Sequence, residues 1–125
     1  MTQIADIAVK NGANTTETFK AYQPQSGSDP AVFLKLTTES RDHWPSLTSS
    51  TRRTANKAVK TKTNLNVPYF SPVTGIQTGN VIVSIEYTIP DTAPQSVIAD
   101  AYAYTSSVIS SALFADQFKT QSALV

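Results

Sequence analysis

The sequence predicts an α+β fold: an antiparallel sheet of five to seven strands that opens on an N-terminal hairpin and is followed by two C-terminal helices on one face. Three observations predict it. Residues 61–66 and 81–90 alternate strictly between two kinds of side chain, the mark of strands with one packed and one open face. Asn11-Gly12 stands between two strand-like runs, a strong hairpin signal. At Pro90 the apolar period changes from two to that of a helix, and strands followed by helices are the α+β order.

In chain order, residues 4–10 alternate with Ala5, Ile7 and Val9 on one side, residues 11–14 turn, and the threonine-rich run 16–22 supplies the second arm. Residues 23–30 hold two prolines, a glycine and two serines and form a loop. A third strand spans 31–38, with Val32, Leu34 and Leu36 opposite Phe33, Lys35 and Thr37. Residues 40–56 show neither period and read as a long connection, of the kind that in small domains tends to be functional or mobile. A long strand covers 57–67 and is expected to end at Pro68. Residues 69–80 form a second loop before the last strand.

Thr92 is placed to cap a helix with Ala93 and Pro94 in its first turn. Val97, Ala101, Tyr104, Val108 and Ala112 form its apolar stripe, broadened by Ile98, Tyr102, Ile109 and Leu113. Ser110-Ser111 breaks it, and Phe114 and Phe118 continue a second short helix. The stripe is wide enough to touch more than one surface, which points to packing against a second subunit.

The chain has 125 residues, which sets a single domain as the expectation: hairpin and sheet over 1–90, helices over 91–125. A body of this size buries only about two-thirds of the surface its unfolded chain exposes, so oligomerisation would help it. The net charge is +1, but six of the ten basic residues (Arg41, Arg52, Arg53, Lys57, Lys60, Lys62) lie between positions 41 and 62, where Asp42 is the only acid. Such a local cationic surface governs phosphate binding more than the total does. With no cysteine, there is neither a disulfide framework nor a thiolate metal site. The start Met-Thr-Gln-Ile-Ala-Asp has no basic segment followed by an apolar run, and no stretch approaches the length of a membrane span. A soluble chain made in a cytoplasm, without membrane partner, is the expectation.

Catalysis finds no footing. His43 is the only histidine, so neither a histidine metal site nor a serine-type triad can be built around it. The nine acids are scattered, and four glycines make no phosphate loop. No enzyme, metal or cofactor is expected. His43 and Trp44 read as an anchor for their loop. The informative surface is the open sheet face, where Lys60, Lys62 and Asn64 share a row and Ser84, Glu86 and Thr88 share another. Lysines there are equally what a solvated face looks like. Arg52-Arg53 fits a nucleic-acid contact or a mobile connection, and Glu86 fits base recognition or cross-strand charge balance.

The order of N-terminal hairpin, threonine-rich sheet, a strand ending Asn66-Val67-Pro68, a glycine-bearing loop, the segment Ile85-Glu86-Tyr87-Thr88-Ile89-Pro90 and two helices resembles the coat proteins of single-stranded RNA bacteriophages, the leviviruses. The resemblance covers nearly the whole chain. It implies dimers with one continuous sheet, helices reaching over the partner, and an icosahedral shell whose inner sheet face binds genomic RNA. In several members that face also binds an RNA hairpin and represses translation. The implied location is the virion, assembled in the bacterial host cytoplasm.

Carried over by position, the RNA-contacting residues are Lys35, Thr37, Lys60, Lys62, Asn64, Ser84, Glu86 and Thr88. Ile82 departs from the family, some members having there a tyrosine that stacks on a base. Stacking is worth about 1–3 kcal/mol per base, so a hairpin recognised here would differ in sequence or mode. The loop at 69–80 fits a plain hairpin connection or, as the resemblance implies, one that meets its copies around the shell's symmetry axes, where its prolines and glycines would let it take two conformations and set shell geometry. The competing reading is a small dimeric RNA-binding regulator that uses the same basic sheet and never closes into a shell.

Overall fold

The computed structural model describes residues 3–27, 29–36, 44–55, 57–71 and 73–123. Two compact units divide the chain, Met1–Thr88 and Ile89–Val125. The first carries the sheet. Among the described residues it has six strands: β1 (Ile7–Lys10), β2 (Thr16–Gln23), β3 (Ala31–Leu34), β4 (Ser46–Arg53), β5 (Ala58–Phe70) and β6 (Gln77–Pro90). Each strand lies beside its sequence neighbour, in the order β1-β2-β3-β4-β5-β6. Pairing from β1 to β5 is antiparallel throughout. Between β5 and β6 the same sense follows from side-chain contacts: Tyr69 lies over Gly79, Asn64 meets Ser84 and Lys60 meets Glu86, one number falling as the other rises.

The N-terminal hairpin forms where the sequence places it, by a different device from the Asn-Gly step. Asn11 Oδ1 accepts the N–H groups of Ala13 and Thr15 at 2.9 and 3.0 Å, an Asx turn. The left-handed residue is Asn14, at φ 61°. At the base of the hairpin the Asp6 carboxylate accepts the Ala21 N–H at 2.8 Å and pairs with Lys20 at 3.3 Å. These contacts hold its pKa below the ordinary 3.8, the backbone hydrogen bond first.

The sequence expectations for β4, for the end of β5 and for the loop after it change. Residues 46–53 are the strand β4, not part of a long connection. It is paired on both sides, Ala31↔Ser49 to Leu34↔Ser46 with β3 and Ser46↔Asn66 to Arg53↔Val59 with β5. β5 does not stop at Pro68 but runs to Phe70. The Ser71 N–H bonds Ile76 across the hairpin, so by alternation Pro68 turns toward the β4 side, past the last β4 pair at Asn66, where a missing N–H costs no ladder bond. The connection between β5 and β6 is therefore only 71–76, with Tyr69, Phe70 and residues 77–80 inside strands.

Among the described residues the buried apolar side chains are Phe19, Phe33, Leu34 and Ala58, joined by one buried polar residue, Thr61. Phe33 and Leu34 are consecutive, so β3 is covered on both faces. The Thr61 hydroxyl lies 3.0 Å from that of its cross-strand partner Thr51, and Thr63 donates to Ser49 at 3.3 Å, giving a hydroxyl ladder between β4 and β5. Thr61→Val removes a buried hydroxyl and is expected to cost about 1 kcal/mol. Chemical denaturation reads the shift, and an unchanged midpoint would show that the ladder contributes nothing.

The second unit holds α1 (Gln95–Ile109) and α2 (Ala112–Thr120). The first helix starts later than expected: Pro94, not Thr92, is its N-cap, and the Pro94 carbonyl accepts from Val97 and Ile98. A residue before proline is pushed out of the helical region, so the helix cannot include Ala93. Ser110 and Ser111 break the helix as the sequence indicates, and the Ser111 side chain caps α2 by accepting the Phe114 N–H at 3.4 Å. Gln121, at φ 55°, ends it. No residue of either helix is buried: Tyr102, Tyr104 and Phe118 are 76%, 69% and 62% exposed. Leu124 and Val125 lie outside the described residues. No helix among those described is long and apolar enough to cross a membrane.

Candidate nucleic-acid interface

Cross-strand partners point to the same face of a sheet, so the register decides which side chains stand together. Lys60, Lys62, Asn64 and Asn66 of β5 share a face, and opposite them on β4 stand Arg52, Ser50, Thr48 and Ser46. The third strand of this surface is β6: the Ser84 hydroxyl donates to Asn64 Oδ1 at 2.7 Å, and Glu86 Oε1 is 2.7 Å from Lys60 Nζ. Thr88, two residues on, and Ile82, two residues before, continue the β6 row. The result is a three-strand patch of lysine, arginine, hydroxyl and amide groups, called here the lysine face.

Charge on this patch is unequal, three cations against one carboxylate. Glu86 feels all three. Its pKa lies below the ordinary 4.5, chiefly through the hydrogen bond from Lys60, with Lys62 and Arg52 adding attraction. The stability this lowering provides is present at neutral pH and is lost as pH falls below 4.5 through the folded value. Glu86 stays ionised at working pH and occupies Lys60. Lys62 and Arg52 have exposed side chains along the same face. Such a surface can neutralise phosphates through its cations and offer hydroxyl and amide groups to sugars and bases.

Of the eight residues expected at this site, the structure brings six together: Lys60, Lys62, Asn64, Ser84, Glu86 and Thr88. Lys35 is not among them. Phe33 pairs with Leu47, and Leu47 with Leu65, so Phe33 and Lys35 belong to the opposite face. There Lys35 pairs with Glu17 at 2.9 Å, both side chains about 70% covered (27% and 28% exposed). That contact, above all others, lowers the Glu17 pKa. Thr37 lies outside the described residues, as do Arg41, Asp42 and His43.

The strand β4 and its hydroxyl row, Ser46, Thr48 and Ser50, are what the sequence reading misses. Arg52 is foreseen from the sequence as a nucleic-acid contact or part of a mobile connection, not as a member of a strand in this row. Asn66, which the alternation puts in the same row, ends it on β5 although it is not among the eight expected contacts. Its Oδ1 is buried without a hydrogen-bond partner.

No protein-family model and no curated protein sequence matches this chain. Solved structures do. The chain is similar to the subunit of the virus-like particle of bacteriophage NT-214, with TM-score 0.87 and 18% identity over 99% of this chain and 100% of that one. It is similar to the virus-like particle of Beihai levi-like virus 21, with TM-score 0.85 and 17% identity over 99% of each chain. An unassembled bacteriophage coat protein dimer, described as an RNA-binding dimer, aligns at TM-score 0.64 and 21% identity over 97% of each chain. The fold is thus that of the single-stranded RNA phage coat proteins, over 97–99% of the chain.

Proposed function

We propose that this chain is the coat subunit of a single-stranded RNA bacteriophage. It pairs with a second copy, the pairs close into an icosahedral shell, and the lysine face turns inward to hold genomic RNA. The observation that carries the reading is the whole-length likeness to subunits of virus-like particles, together with a cationic, hydroxyl-rich sheet face that this unit leaves open. The role is structural and uses no cofactor or catalytic residue. Each phosphate neutralised releases condensed counterions. A few cations per subunit, repeated over a closed shell, gather a genome without any subunit being strongly basic.

The test is expression of the chain alone in bacteria, nuclease treatment, sedimentation, and negative-stain imaging of the fast fraction. Closed particles holding protected RNA support the proposal. A slow dimer that binds RNA and never closes replaces it with the regulatory module, which would share the fold with the unassembled RNA-binding dimer.

Glu86 gives a sharper test of the face. Glu86→Gln keeps the side chain's shape and releases Lys60 to a phosphate. One additional phosphate contact steepens the salt dependence by about 0.7 for single strands, or about fivefold in affinity at 0.1 M salt relative to 1 M. Affinity for an oligouridylate is therefore expected to rise by that factor. A fall instead would show that the carboxylate itself contacts the RNA.

A further inference from the structure

We infer that Gln25 is a positioning residue for the lysine face, acting through the end of β4 on Arg52; the inference rests on the nucleic-acid reading proposed above. The ladder between β3 and β4 pairs Phe33 with Leu47 and Ala31 with Ser49, and the Lys35 N–H extends it to the Pro45 carbonyl at 3.0 Å. In this ladder every second residue of β4 turns its backbone groups toward β3. The next is Thr51, and its partner would be residue 29.

Residue 29 is not available. The Asp29 N–H bonds the Ser26 carbonyl at 2.9 Å and the Asp29 carbonyl accepts the Ser26 N–H at 3.1 Å, so its backbone groups are committed to a turn. Thr51 therefore faces a gap at the end of β3. Gln25 fills it. Its Oε1 accepts the Thr51 N–H at 2.8 Å, and its Nε2 donates to the Thr51 carbonyl at 2.7 Å. A primary amide carries the same donor and acceptor as a peptide group, so one side chain stands in for the missing strand residue.

What the clamp secures is the residue beside it. Arg52 lies in register with Lys60 on the lysine face and acts on Glu86 through its charge. With Gln25 in place, the last turn-side residues of β4 are held from both edges. Without it Thr51 has β5 on one side only, and the end of a strand held on one side frays. Arg52 would then leave the row for part of the time, although the side-chain hydrogen bonds of Gln25 go to the Thr51 backbone and not to that row. This separates positioning from contact: the effect of Gln25 on RNA must pass through Arg52.

The experiment is a double-mutant cycle on the full chain, Gln25→Ala against Arg52→Ala. Filter binding of a uridine oligomer is measured across a series of KCl concentrations, alongside hydrogen exchange at the Thr51 amide. Arg52→Ala is expected to lower affinity about fivefold at 0.1 M salt and to flatten the salt slope by about 0.7, the loss of one phosphate contact. Gln25→Ala is expected to lose part of the same factor, with faster exchange at Thr51, and to add nothing in the Arg52→Ala background, the non-additivity of coupled sites. If Gln25→Ala fails to fold, Gln25→Glu, which keeps the acceptor for the Thr51 N–H, completes the cycle. A variant at Gln25 that binds like the unaltered chain, or whose loss adds in full to that of Arg52→Ala, overturns the positioning role and leaves the interface standing. Salt-independent or absent RNA binding by the unaltered chain overturns the interface and the role together.

Discussion

Replacing Lys60 and Lys62 together by alanine is expected to weaken single-stranded RNA binding more than fivefold at 0.1 M salt: Lys62 gives up one phosphate contact, worth about fivefold, and the loss of Lys60 leaves the Glu86 carboxylate unneutralised. The slope of log affinity against log salt should flatten by about 0.7, the loss of the Lys62 contact. The two substitutions are not equivalent. Lys60 is the hydrogen-bonded partner of Glu86, and removing it leaves a carboxylate facing the RNA backbone. Lys62 is exposed, so its loss subtracts one cation only. Lys60→Ala alone should therefore cost more than Lys62→Ala alone. Both side chains lie on the open face, so circular dichroism and particle yield should hold while the RNA content of purified particles falls. Particles of the double variant with unchanged RNA content would show that the wrong face has been assigned.

Strand existence was legible wherever apolar and polar side chains alternate along the strand. In β5 and β6 the alternation is clean, and six of the eight expected residues meet on one surface as a result. In β3 the alternation misleads. Phe33 and Leu34 are both buried, so neither of its two rows marks the open side. Alternation says which side chains of one strand share a face, whereas the face itself is set by pairing with the next strand. Lys35 fell on the wrong side for that reason, and only the chain of partners Phe33, Leu47, Leu65 settles it.

The strand β4 was illegible for a different reason. Ser-Leu-Thr-Ser-Ser-Thr-Arg-Arg has a single aliphatic residue, so no hydrophobic period of two exists to detect. What makes it a strand is non-local: two neighbours satisfy its backbone, and its inward hydroxyls find other hydroxyls across the sheet. A signal was present in Thr48 and Thr51, whose β-branched side chains favour extended backbone. It was outweighed by a composition that resembles a loop. The same tertiary override carried β5 through Pro68, since the cost of a proline in a strand depends on which edge its nitrogen faces, and sequence does not show edges.

The apolar helix surface sets the largest expected effect. Val97, Ala101, Tyr104 and Val108 repeat at intervals of four, three and four along α1, one face of a helix. In the chain by itself Val97, Tyr104 and Val108 are all exposed. Exposed apolar patches of this extent mark interaction surfaces in soluble proteins, and the proposed occupant is a second copy. In a two-fold pair each substitution counts twice. Val108→Asp forfeits about 1.5–3 kcal/mol of burial and adds an unpaired carboxylate. At about 3 kcal/mol per subunit the pair loses about 6 kcal/mol, or about four decades in dissociation constant. Were the stripe merely solvated, the same change would shift stability by no more than about 0.5 kcal/mol. Sedimentation velocity over the micromolar range separates the two by a wide margin: paired and assembled species should vanish for Val108→Asp and persist for Ser107→Asp on the reverse side of the helix. A Val108→Asp chain that associates like the original would remove α1 from the subunit contact and leave its stripe without a partner.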